Sequence, residues 1–415
     1  MKILVIIYTL LLCKCCSLHV CDSPITRSVE KGLDIYYKDS ISVLDISDSV
    51  FRMQSDINLN GMSFVLPDSI TIIPQGGRFI NGRLIGNNTS IKGVGELFEN
   101  VAIEGIWIVP FISTSMFSNL RYDNSLKDVI ALSNPDIHNN IIIEDGIYNL
   151  KLKHESDAGI TLTDNTDIYI KGTLTISPNN YARFYMIDVC GENINIHGGT
   201  LIGEKSRHLG KDGQWGMGIN ICHSNSCIVS NVSISNCWGD CIYVGKQSKD
   251  ITIANCVLEN ARRQGISVTC AENVLVANTK ISNIKGSAPE YGIDLEPNSN
   301  EKVSNVLLTN IDISNSVGGI LCYGMASNAT VSNITINNCS IQGCSSPFPL
   351  RIQKSSNIKL QDVSVVGKKS RILFDTIDSL TSIRTNIYTS KKDSIKYINC
   401  HYIEMQPSLS NTIIL

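Results

Sequence analysis

The chain of 415 residues is poor in charge and in aromatic rings: 18% Asp, Glu, Lys and Arg, 6% Phe, Trp and Tyr, and a net charge of −3. It has no basic block, which argues against nucleic acid as its ligand. It has no apolar run long enough to span a bilayer. The run Ile3–Leu12 behind Lys2 is too short for that and fits a secretory signal over residues 1–20. Secretion to the periplasm, the cell surface or the medium is the expectation, with a lipid anchor on a nearby cysteine as an open alternative. Beyond this N-terminal segment there are no paired CxxC clusters, so the fifteen cysteines do not read as metal ligands, and no metal or other cofactor is expected. Zinc motifs, nucleotide loops, nucleophile elbows and coiled-coil heptads are also missing.

What is present is a ten-residue phrase repeated seven times: apolar–x–apolar–x–Asn–x–x–apolar–x–Asn, with Gly or Asp at times replacing an Asn. It starts at Ile194, Cys227, Ile251, Val274, Val306, Ile334 and Ile358. Its fifth residues, Gly198, Asn231, Asn255, Asn278, Asn310, Asn338 and Asp362, are separated by 33, 24, 23, 32, 28 and 24 positions. A repeat of this size marks a solenoid, and period-two alternation marks its units as strands. The unequal steps predict loops of different length on one side. The Asn columns are expected to sit at bends and bond to one another up the stack. Cys227, Cys256 and Cys339 fall within the phrase, where a free cysteine serves as a small buried hydrophobe. A bridge such as Cys222 with Cys227 is an alternative in an oxidising compartment.

A second short strand precedes each phrase, starting at Ile187, Ile219, Ile242, Ile266, Ile293, Ile320 and Leu350. Its first and third residues should point inward. The outward column is then Asp188, Asn220, Tyr243, Ser267, Asp294, Leu321 and Arg351. Ahead of the repeats, residues 21–120 read as entry coils or a small β cap, and Asn124 caps a helical stretch, SLKDVIALSN. The repeats and final coils occupy 121–415.

The pattern of coils resembles the right-handed parallel β-helix of the pectate-lyase-like superfamily, which implies an all-β solenoid with an N-terminal β/α cap. Several segments bear on chemistry. Gly239-Asp240-Cys241 resembles the Gly-Asp-Asp motif of polygalacturonases, with Cys241 in place of the second Asp, and carries over Asp240 alone. Tyr291-Gly-Ile-Asp294-Leu-Glu296 is similar to the Tyr-Gly-Phe-Asp-Pro-His motif of mannuronan epimerases, with Glu296 in place of the His. Arg263-Gln264-Gly265 followed by this segment looks like a broad group of β-helix proteins of bacteria and their phages, many of which act on polysaccharides.

Asp294 and Glu296 lie two apart on one strand, roughly 7 Å by strand rise. That spacing suits the carboxylate pair of an inverting glycosidase, about 6.5–9.5 Å apart. Asp294, Glu296 and Asp240 are therefore the expected catalytic residues. Arg263, Tyr243, Tyr291, Arg262, Trp215 and Arg351 are the expected contacts to a polysaccharide or oligosaccharide. Trp238 can also stack on a sugar ring, His208 can act as acid or base, and Lys246 can act as the base of a lyase. A glycoside hydrolase leads this reading. A lyase or epimerase, a glycan-binding or tailspike-like surface protein, and a purely structural surface protein stand behind it.

Overall fold

The computed structural model describes residues 50–118, 126–390, 394–406 and 412–413. The leader expected over residues 1–20, the start of the expected cap at 21–49 and the Asn124 cap lie outside these residues. The chain folds as a right-handed parallel β-helix. Almost every described element is a short strand, and every strand pairs in parallel with the strand one coil away.

Both strand rows keep the register expected from the repeat. Ile187, Ile219, Ile242, Ile266, Ile293, Ile320 and Leu350 are consecutive partners up one sheet, here called the front sheet. Ile194, Cys227, Ile251, Val274, Val306, Ile334 and Ile358 are consecutive partners up the other. These side chains fill the interior of the coil and are essentially sealed from water. Stacked aliphatic rows of this kind supply the hydrophobic stabilisation, at about 25 cal/mol per Å² of apolar surface buried.

The bends are built from left-handed asparagines. Asn231, Asn255, Asn278, Asn310 and Asn338 have φ between 48° and 58°, a region that Asn tolerates better than other side chains. Their amides form a ladder: Asn278 donates to Asn255 at 3.1 Å, Asn310 to Asn278 at 2.6 Å and Asn338 to Asn310 at 3.3 Å. The tenth residue of the phrase bends in the same way, and Asn260 donates to Asn236 at 2.5 Å. A further ladder, Asp250, Asn273, Asn305, Asn333 and Asn357, stands just before the phrase.

Residues 50–118 form a separate seven-stranded parallel sheet around Phe98 and Trp107. The strand Phe111–Ser113 leaves it to pair with Asn139–Ile143 in the helix proper. The α-helix at Leu126–Ile130 is shorter than the stretch expected through Asn134. Ser133 Oγ donates back to the Ile130 carbonyl, and Asn134 is held by the Trp107 carbonyl. Pro135 follows, which disfavours helical backbone at the residue before it.

None of the eleven described cysteines is in a disulfide. Cys227 is an interior residue of one row, while Cys222 lines a cleft on the outside of the other. The two thiols thus face opposite sides of the coil wall, and the alternative of a Cys222–Cys227 bridge is not realised.

Candidate functional site

The outward column of the front sheet, with the expected catalytic acids on it, would serve a polysaccharide only as an open groove. It is not open along its whole length. Asp240 is 0% exposed, Asp294 is 1% exposed, and Ser267 and Leu321 are also buried. Long-range loop contacts seal this stretch. Tyr291 packs over Gly318, where a Cβ would come within 2.4 Å of its ring, and its hydroxyl donates to the Phe348 carbonyl at 2.9 Å.

Beneath this cover lies a compact charged cluster. Arg263 Nη1 donates to Asp240 Oδ2 at 2.9 Å. Gln264 Nε2 donates to Asp294 Oδ2 at 2.6 Å, and Gln264 Oε1 accepts from the Tyr291 backbone N–H at 2.6 Å. The Glu296 carboxylate acts on Asp294 electrostatically, while Asp294 Oδ1 is buried without a hydrogen-bond partner. Burial pushes Asp294 well above the usual carboxylate range, the neighbouring Glu296 charge pushes it further, and Arg263 offsets part of this. Asp240 is raised by burial and partly restored by Arg263. One guanidinium thus serves three carboxyl groups. Glu296 is the partly exposed member.

An open cleft of about 270 Å³ lies further along the same face. Trp215, Tyr185 and Tyr243 give it aromatic walls, Arg183 and Lys246 give it cationic groups, His223 adds an imidazole, and Asn220 and Asn298 add amides. No carboxylate lines it. Trp215 is 38% exposed, and the Arg183 guanidinium lies 5.1 Å from its ring centroid. Asn220 Nδ2 donates to Asp188 Oδ1 at 2.7 Å, behind the cleft wall. Tyr243 joins the two regions. It lines the cleft, bonds Thr269 Oγ1 through its hydroxyl at 2.8 Å, and lies in the electrostatic field of Arg263 and Asp240. Burial pushes its phenol upward, so it stays protonated.

The structure therefore brings Asp240, Arg263, Asp294 and Glu296 together, with Tyr243 two rungs from Asp294. It places Tyr243, Trp215 and Lys246 on the cleft. Three expected glycan contacts are engaged elsewhere. Tyr291 is 5% exposed. Arg262 sits 3.9 Å from the Trp238 centroid and donates to the Gly213 carbonyl at 2.8 Å. Arg351 lies over Tyr323 and bonds Gln353. Trp238 is buried between Arg262 and His208, with no face free for a sugar. Arg183, Tyr185, His223 and Asn298 were not foreseen. Extending the register upstream from Ile187 and Ile219 pairs Arg183 with Trp215, which was the available signal.

A model of the right handed beta helix region matches residues 146–303. Two proteins of Bacillus subtilis (strain 168) are similar over part of the chain. They are the SPbeta prophage-derived uncharacterized protein YorA, 29% identical over 166 residues, and the uncharacterized protein YclG, 31% identical over 164. Each alignment covers 34% of this chain and spans only 28% of the relative's own length. Among solved structures, a tailspike protein mutant of E. coli bacteriophage HK620 in complex with a pentasaccharide has a TM-score of 0.50 at 13% identity. That match covers 71% of this chain and 61% of the other. At that identity the likeness concerns the fold alone. The architecture is that of a right-handed parallel β-helix.

Proposed function

We propose that the protein binds a polysaccharide in the cleft between Arg183, Trp215, Tyr243 and Lys246. The observation that carries this reading is the composition of the cleft: aromatic walls, amides, two cationic side chains and an imidazole, with no carboxylate. Exposed aromatic faces suit the apolar faces of sugar rings, and guanidinium and ammonium groups suit acidic substituents on them. The tailspike of similar fold was solved with a bound pentasaccharide, which is in keeping with this reading. A protein with this role works outside the cytoplasm, as expected from its N-terminal segment.

A second reading adds turnover. It is favoured by the Asp294 carboxyl, which burial and the neighbouring Glu296 charge hold well above the usual carboxylate range. Asp294 would pass its proton to a glycosidic oxygen as the bond from that oxygen to the anomeric carbon breaks. Water would add at that carbon, its proton would restore the acid, and Arg263 would stabilise the carboxylate in between. Elimination would instead use Lys246 or Tyr243 on the cleft wall. Product analysis separates the readings. Hydrolysis yields new reducing ends that Asp294→Asn abolishes. Elimination yields unsaturated ends that Lys246→Ala abolishes. Retention of glycan with neither product leaves binding alone, and no retention of any polysaccharide overturns the proposal.

A further inference from the structure

The segment that carries Trp215 to the cleft begins at a buried acid–imidazole pair. Glu204 Oε1 and His208 Nδ1 are 2.7 Å apart, and their side chains are 0% and 1% exposed. The imidazole is sandwiched: the Trp238 ring stacks on it at 3.8 Å and the Phe184 ring lies at 6.3 Å. Glu204 Oε2, His208 Nε2 and Trp238 Nε1 are buried without a hydrogen-bond partner. Outside this pocket, the segment is tied down by single hydrogen bonds. Arg262 donates to the Gly213 carbonyl, the Leu209 N–H donates to the Asn179 carbonyl, and Ser287 donates to Gln214.

We propose that Glu204 and His208 form a pH-dependent clamp that positions Trp215 in the cleft, closed while the pair is uncharged and loosened when Glu204 ionises. Burial lifts the Glu204 carboxyl to about 7 and lowers His208, so both shifts favour the neutral pair. Above that pH a carboxylate is left in a pocket walled by Trp238 and Phe184, where an unpaired charge is costly. The charged and titratable groups around it do not cancel the effect. Arg207, on the same segment, is exposed; it offsets part of the Glu204 shift, and its guanidinium donates to the Ile176 carbonyl. Arg262, from the neighbouring coil, lies on the far face of Trp238 and disfavours His208 protonation. Lys205 turns away to Asn260 and the carbonyls of Ala261 and Lys285. Cys237 and Cys241 are buried thiols. The clamp concerns the loop itself and does not depend on what the cleft binds.

The test is proteolysis of the intact protein at Leu209, which is 71% exposed, from pH 6 to pH 8.5, normalised to a free peptide of the same loop sequence. The expected result is cleavage that rises about tenfold with a midpoint near 7, the value to which the carboxyl is lifted. Glu204→Gln, which keeps the hydrogen-bond acceptor, should give a flat profile with an unchanged far-UV spectrum. A flat profile in the unaltered protein overturns the clamp without need of any variant. A rise that persists in folded Glu204→Gln does so as well.

Discussion

Arg263→Met would remove the single cation of the buried cluster. Its partner Asp240 is fully enclosed, and Asp240 Oδ1 already lacks a hydrogen-bond partner. Removing one member of a buried ion pair typically costs about 3–5 kcal/mol. The lower end applies here, because burial already raises the Asp240 pKa and the carboxyl can escape part of the penalty by taking up a proton. The sign of the pH dependence follows. In the variant the folded-state pKa of Asp240 rises further above its unfolded value. The loss is then small at acid pH, grows as pH rises from the Asp240 pKa of the unaltered folded protein to that of the variant, and reaches about 3 kcal/mol above both. Each unit of extra shift accounts for about 1.4 kcal/mol. The assay is urea unfolding of both proteins at pH 5 and pH 8, comparing midpoints at constant slope. Asp240→Asn in the same chain removes the stranded charge and should recover more than half of the loss at pH 8. Equal losses at both pH values, or no recovery in the double variant, would refute the placement of Arg263 as the counter-charge of a sealed carboxylate.

Other changes test the bends and the cleft. Asn278→Ala removes a residue that donates to Asn255 and accepts from Asn310 at φ 50°. It should lower stability by about 1–3 kcal/mol, from left-handed strain and lost hydrogen bonds, and Asn278→Gly should lose less because it keeps the backbone freedom. Gly245→Ala places a Cβ 2.7 Å from the Tyr243 ring and 2.8 Å from Thr269 Oγ1. It should displace Tyr243 and weaken glycan retention about tenfold while leaving the far-UV spectrum intact, a loss of about 1.4 kcal/mol in binding.

The fold was legible because its signals are local and repeated. Inward aliphatics recur at period two, and Asn231 to Asn338 mark the bends whatever the loop between them. One phrase, read seven times, fixes the register of both rows. The carboxyl cluster was legible for the same reason, since the register places Asp294 two rungs from Tyr243 and brings Arg263 alongside. What covers that cluster was not legible. Tyr291 is sealed by a contact to Phe348, 57 positions away, and Arg262 is drawn off by Gly213, 49 positions away. Such contacts depend on how irregular loops fold back, for which the repeat carries no ruler. His208 lacked an evident partner in the sequence, although Glu204 stands four residues before it.

The most direct test of the account is glycan retention by the unaltered protein and by a Trp215→Ala, Lys246→Ala double variant, across an array of neutral and acid-bearing polysaccharides. The account predicts retention of an acid-bearing glycan by the unaltered protein and its loss in the folded double variant. Undiminished retention by that variant would contradict the placement of the site in this cleft.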